Sequence, residues 1–149
     1  MEEYKLTMHS EEETICFAQN LESEKFPDMV ICLYGDLGSG KTVFAKAFAQ
    51  AMGIDGVTSS TFNIIKEYNG ELPLYHMDVY RVDDNVSNLG IEEYFTKGGV
   101  TIIEWADLIE DYLPEERLDI KFKVIDEETR VLLIRAYGDK YIRACEDIL

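Results

Sequence analysis

Basic residues are scarce in this chain: 14 lysines and arginines stand against 30 aspartates and glutamates in 149 residues, a net charge of −16. A protein that grips nucleic acid unaided shows the opposite sign, so tight direct binding of DNA or RNA is disfavoured. Cysteine is scarce as well. Cys16, Cys32 and Cys145 fall at unrelated spacings with no C-x-x-C, which offers neither a disulfide framework nor a zinc cluster, and each sits in an apolar pattern as a small core residue. No apolar run reaches the length of a bilayer span. The first residues, MEEYKLTMHSEEET, are acidic and carry no signal-peptide h-region, so a cytoplasmic protein with no membrane role is expected. Repeats, linkers and low-complexity segments are lacking too, and one domain over residues 1–149 is the simplest expectation.

What is present is a phosphate-binding loop in its required context. Residues 29–34 (MVICLY) read as a buried strand and 43–52 (VFAKAFAQAM) as a helix. Between them Gly35-Asp36-Leu37-Gly38-Ser39-Gly40-Lys41-Thr42 completes G-x-x-x-x-G-K-[ST]. Glycines let the backbone turn and come close to a ligand, so that successive N–H groups point at phosphate oxygens beside the positive end of the helix. Lys41 is expected to reach the β and γ phosphates, and the Thr42 hydroxyl to ligate Mg²⁺. The expected nucleotide-binding stretch is therefore Asp36, Leu37, Gly38, Ser39, Gly40, Lys41, Thr42 and Val43.

The remaining pattern predicts a mixed α/β architecture. Residues 4–8 form a short strand, and Ser10 with Glu13 fits a capping box opening a helix to about residue 24, with Thr14, Phe17, Ala18 and Leu21 on one face. Lys46 and Gln50 mark the wet stripe of the helix after the loop, which Gly53 ends. Asn69-Gly70 signals a hairpin between strands at 62–68 and 72–80. A short helix at 88–96, a buried strand at 100–104 and another helix at 106–112 follow, stopped before Pro114. A second hairpin joins 117–125 to 129–137, and a terminal helix follows Gly138. The expected fold is a P-loop NTPase-like α/β domain, with a mixed, mostly parallel sheet, helices on both faces and antiparallel hairpin additions.

A P-loop needs an acid opposite Thr42. Glu104, closing the apolar strand Val100-Thr101-Ile102-Ile103-Glu104, emerges at the carboxyl edge of the sheet and is the expected metal partner. Asp78, after another apolar strand, is expected to orient the attacking water or a metal-bound water. Arg81 fits either charge neutralisation on the transferring phosphoryl group or a surface pair with Asp78. His76 shares a strand face with Asp78, but with only His9 as a second imidazole and no cysteine cluster it reads as structural rather than as a metal ligand. Ser59-Ser60-Thr61 suits a switch loop or a plain polar loop. Trp105, the only tryptophan, suits a core filler, a base-stacking platform or a partner anchor. No N-K-x-D element appears, which favours adenine over guanine.

Taken together these residues resemble the bacterial TsaE proteins, also called YjeE. The resemblance rests on residues 35–42, Ser59-Ser60-Thr61-Phe62, Tyr75-His76-Met77-Asp78-Val79-Tyr80-Arg81, Leu89-Gly90-Ile91-Glu92-Glu93-Tyr94-Phe95 and Ile103-Glu104-Trp105. It implies a slow, partner-dependent ATPase that binds ATP with Mg²⁺ at Thr42 and Glu104. The catalytic residues it implies are Lys41, Asp78 and Glu104, with Trp105 counted among the nucleotide-binding residues. It further implies a role in the threonylcarbamoyladenosine modification of adenosine 37 in tRNAs that read codons beginning with A, through the partners TsaD and TsaB, with tRNA touched only indirectly or weakly. Thr14 and Arg130 match family positions near the nucleotide, although core packing and a hairpin charge pair explain them equally well. Two departures stand out. Ser60 replaces a usual proline, which loosens the loop, and Val43 replaces a usual threonine, which removes a hydroxyl near the α phosphate. The alternatives are a small-metabolite kinase, which would need an arginine-bearing lid, and a nucleotide-dependent switch with little hydrolysis.

Overall fold

The computed structural model describes residues 1–57, 64–80 and 90–149. Among the described residues the elements follow in the order β1 (Glu2–Met8), α1 (Glu11–Glu22), β2 (Val30–Tyr34), α2 (Lys41–Ala51), β3 (Ile65–Tyr68), β4 (Leu74–Asp78), α3 (Ile91–Tyr94), β5 (Val100–Glu104), a 3₁₀ segment (Ala106–Tyr112), β6 (Arg117–Val124), β7 (Arg130–Tyr137) and α4 (Asp139–Ile148). The strands form one seven-stranded sheet in the order β1-β7-β6-β2-β5-β4-β3. Its centre is parallel: β6, β2, β5 and β4 run the same way. Antiparallel additions flank it, β7 and β1 on one side and β3 on the other.

Strand alternation sorts the core into two layers. On one face Ile31, Leu33, Ile102, Leu118, Ile120, Leu132 and Ile134 meet the buried sides of α1, α2 and α4. On the other, Val30, Cys32, Met77 and Ile103 meet Ile91 and Phe95 around α3 and Ala106 and Ile109 of the 3₁₀ segment. Helices therefore cover both faces, as the sequence leads one to expect. The capping box at Ser10 is formed: Glu13 N–H donates to Ser10 Oγ at 3.2 Å, and His9 N–H donates to Glu13 Oε1 at 2.7 Å. Thr14, Phe17, Ala18 and Leu21 are all buried on α1, and Lys46 and Gln50 are the exposed stripe of α2.

The first hairpin differs from its signal. Tyr68 pairs with Leu74, so five residues separate the strands instead of the two that Asn-Gly favours, and the return strand begins at Leu74 rather than at 72. Pro73 explains the delay, because it has no N–H to offer the ladder; its carbonyl instead accepts from Val100 N–H at 2.8 Å, tying the turn to β5. The second hairpin is close to expectation, with Asp126 Oδ1 accepting from the N–H groups of Glu128 and Thr129 to shape its turn.

Candidate functional site

The phosphate loop leaves the carboxyl end of β2 and enters α2 at Lys41. Gly35 is forced by space as well as by backbone: at φ +143°, a Cβ there would lie 2.7 Å from both the Phe122 carbonyl and Ser39 Oγ. Gly40 is the residue before α2 and lies in the left-handed region (φ 114°, ψ 2°), so no side chain caps the helix. The first N–H groups of α2 have no intrahelical partner, and an uncapped N-terminus presents them, with the positive end of the helix, to an anion. Phe44 N–H is the first to close the helical ladder, onto Gly40 carbonyl at 3.0 Å.

Lys41 is buried, at 4% exposure. Its ammonium donates to the carbonyls of Gly35 and Asp36 and lies 3.9 Å from the centre of the Trp105 ring. Burial pulls its pKa below the ordinary lysine value, and the charges of Glu104, Asp107, Asp36 and Asp78 oppose that shift. Trp105 reaches this position because it adopts a left-handed backbone (φ 63°, ψ 39°), unusual for an aromatic residue, where β5 turns sharply into the 3₁₀ segment. Its other neighbour is the half-exposed Tyr80, 4.7 Å between ring centres.

Glu104 lies beside β2 at the end of β5, because β5 pairs in parallel with the strand that feeds the loop. Thr42 Oγ1 donates to Glu104 Oε1 at 2.9 Å, across 62 residues of sequence. The second carboxylate oxygen, Oε2, is 2.7 Å from His76 Nε2. Asp78 is paired directly with Glu104 in the β4–β5 register and is half-buried, with Oδ1 accepting from Tyr80 N–H at 3.1 Å. Burial raises the Asp78 pKa; the Tyr80 N–H lowers it, the Glu104 charge raises it, and His76 and Lys41 lower it.

The structure thus gathers Lys41, Thr42, Glu104, Trp105 and Asp78 at one edge of the sheet, as the sequence leads one to expect, and adds His76. The sequence reading of His76 as merely structural missed its bond to Glu104. Only the parallel β4–β5 register, which sets His76 opposite Ile102 and so one pleat from Glu104, reveals it. Arg130 also reaches the loop, donating to Ser39 carbonyl (3.2 Å) and Gly38 carbonyl (3.5 Å) while holding the carbonyls of Asp126, Glu127 and Thr129 in its own turn. It therefore grips the loop's backbone. Thr14 sits in the packed face of α1. Leu37 projects into solvent at the loop's tip, 86% exposed. Ser59, Ser60, Thr61, Phe62, Arg81 and Leu89 lie outside the described residues.

The donor chemistry fits Mg²⁺: a hydroxyl and a carboxylate are two hard oxygens, and this ion keeps several waters and takes few protein ligands. Among the described residues no group of three or more His, Cys, Asp or Glu side chains forms a cage of its own.

Comparison with known proteins shows the family. Residues 8–132 match the family described as Threonylcarbamoyl adenosine biosynthesis protein TsaE. The tRNA threonylcarbamoyladenosine biosynthesis protein TsaE of Bacillus subtilis is 46% identical, over 99% of this chain and 95% of its own. The protein of the same name from Rickettsia bellii is 33% identical over 83% of this chain and 89% of its own. The crystal structure of Bacillus subtilis YdiB superposes with a TM-score of 0.83 at 43% identity, covering 99% of this chain and 94% of that one. These near full-length matches show the family: the chain belongs to the TsaE family of threonylcarbamoyladenosine biosynthesis proteins.

Proposed function

We propose that this chain is the Mg²⁺-dependent ATPase subunit of threonylcarbamoyladenosine formation at adenosine 37 of tRNA, acting on TsaD and TsaB rather than on the modified base. The observation that carries the reading is the 2.9 Å bond between Thr42 and Glu104, which joins the loop hydroxyl to the acid of the neighbouring strand. Family membership supports the pathway, and the net charge of −16 supports protein partners over direct tRNA contact.

In this reading the N–H groups at the start of α2 hold the phosphates, and the Lys41 ammonium exchanges the Gly35 and Asp36 carbonyls for phosphate oxygens. Thr42 Oγ1 and Glu104 would hold Mg²⁺, which when bound neutralises charge on the transferring phosphoryl group. Asp78 orients the attacking water and accepts its proton, a task helped by a carboxyl whose pKa burial has moved towards neutrality. Trp105 covers Lys41 and keeps bulk water from it. Arg130 holds the loop's outer carbonyls so that its N–H groups stay turned inward. The protein works in the cytoplasm, where its tRNA-modifying partners act.

The test is phosphate release measured with Mg²⁺ and ATP, alone and with TsaB and TsaD added. Slow release that accelerates with the partners and stops on chelation is expected. Release that needs an added small acceptor would point to a kinase, and tight ATP-dependent association without release to a switch.

A further inference from the structure

His76 is a buried polar side chain beside this site for which the proposed function has no use. It lies on β4 at 2% exposure, on the sheet face that carries Leu74 and Ile102, where an aliphatic residue would pack without desolvating a ring nitrogen. Its Nε2 is 2.7 Å from Glu104 Oε2, and both side chains are nearly inaccessible, at 1% and 3%. Its Nδ1 is buried and has no hydrogen-bond partner among the described residues. Facing a carboxylate oxygen, which accepts, Nε2 carries the hydrogen, and Nε2–H donates to Glu104. The histidine thus spends its Nε2–H on the carboxylate, a bond that an aliphatic residue in the same place would lack.

Resting on the assignment of Glu104 as the metal partner, we propose that His76 is a positioning residue: it anchors Glu104 Oε2, so that the carboxylate keeps one orientation with Oε1 turned to Thr42 and the phosphate loop. The anchor matters because the hydrogen bond from Thr42 fixes only one carboxylate oxygen, Oε1, and leaves the carboxylate free to turn about it. The bond from His76 to Oε2 supplies the second point that fixes the carboxylate's plane, and a carboxylate so held loses no rotational freedom when Oε1 meets a ligand. Hydrogen-bond partners standing behind ligating groups in this way typically change metal affinity by about 10–100-fold when removed.

The test uses Mn²⁺, a paramagnetic stand-in for Mg²⁺, titrated into the full-length protein saturated with a non-hydrolysable ATP analogue, with free Mn²⁺ read by electron paramagnetic resonance. His76→Leu should weaken Mn²⁺ binding about tenfold while leaving analogue affinity without metal, and the thermal melt of the ligand-free protein, close to wild type. His76→Gln, whose amide nitrogen can reach the place of Nε2, should restore most of the affinity. His76→Asn, whose amide stops short of it, should behave as His76→Leu does, and the Gln–Asn contrast decides the matter even where the Leu variant melts early. Mn²⁺ affinity within twofold of wild type in both Leu and Asn variants, or Gln and Asn variants equally impaired, would overturn the proposal. Glu104→Gln separates the two levels: if it loses Mn²⁺ affinity while the His76 variants do not, only the positioning role fails. If Glu104→Gln itself binds Mn²⁺ normally, the metal assignment fails and takes the role of His76 with it.

Discussion

Asp78 carries opposing demands at the residue scale. Burial raises its carboxyl pKa above the ordinary aspartate value, so the folded chain holds that proton more tightly than the unfolded chain does. The stability this brings is complete below the unfolded value, about pH 3.9, and is lost as pH rises through the raised folded value. At neutral pH the charge is therefore a cost to the fold, which active sites commonly tolerate for the sake of chemistry. Asp78→Asn keeps an oxygen for Tyr80 N–H but never ionises. Thermal melts across pH 4 to 8 should show this variant gaining on wild type as pH rises, with its own curve flatter; parallel curves would contradict the shift. Residues of this kind differ in how far sequence reveals them. Lys41 and Thr42 are readable because a local motif dictates their place, and Glu104 because it ends an apolar strand in a chain with such a motif. The service of His76 to Glu104 is not readable, since it depends on a strand register set by the whole sheet.

At the scale of elements, the position of the loop depends on what anchors the opposite end of β2. Val30 N–H, at the start of that strand, donates to the Tyr141 hydroxyl of α4 at 2.8 Å, 111 residues away. Burial pushes the Tyr141 phenol up to about 12, the charges of Cys32, Glu116 and Asp28 adding to it and the Val30 N–H opposing it. Tyr141→Phe keeps the ring against Phe26 but strands a buried N–H, and should cost about 1–3 kcal/mol in denaturant unfolding. A loss below a few tenths would show that water replaces the hydroxyl. The longer helices were legible from their caps and periodicity, as the buried face of α1 illustrates, whereas the helix expected at 106–112 is a 3₁₀ segment broken at Ile109 and that at 88–96 is, among the described residues, a single turn at Ile91–Tyr94. Turn lengths were less so. Asn69-Gly70 announces a tight hairpin, yet Pro73 withholds a donor and the chain spends five residues on the turn.

Across the whole molecule, the parallel centre of the sheet brings the ends of β2, β5 and β4 side by side, and all the proposed chemistry sits on those three ends. The alternation of strands and helices around the loop made that much foreseeable. The strand order was not, because the pairing of β1 with β7 joins residues more than a hundred positions apart, and sequence patterning carries no record of such distant partners. The acidic surface bears on the same scale, since it favours a protein target over tRNA itself. The account's central claim is that the Lys41, Thr42 and Glu104 site powers its partners. It is tested most directly by threonylcarbamoyladenosine formed on tRNA over many turnovers by TsaB and TsaD, supplied with wild-type chain, Lys41→Ala or Glu104→Ala. We expect sustained formation with wild type and a fall of about 10²–10³-fold in rate with either variant, both still folded. Equal formation with wild type and variants would contradict it.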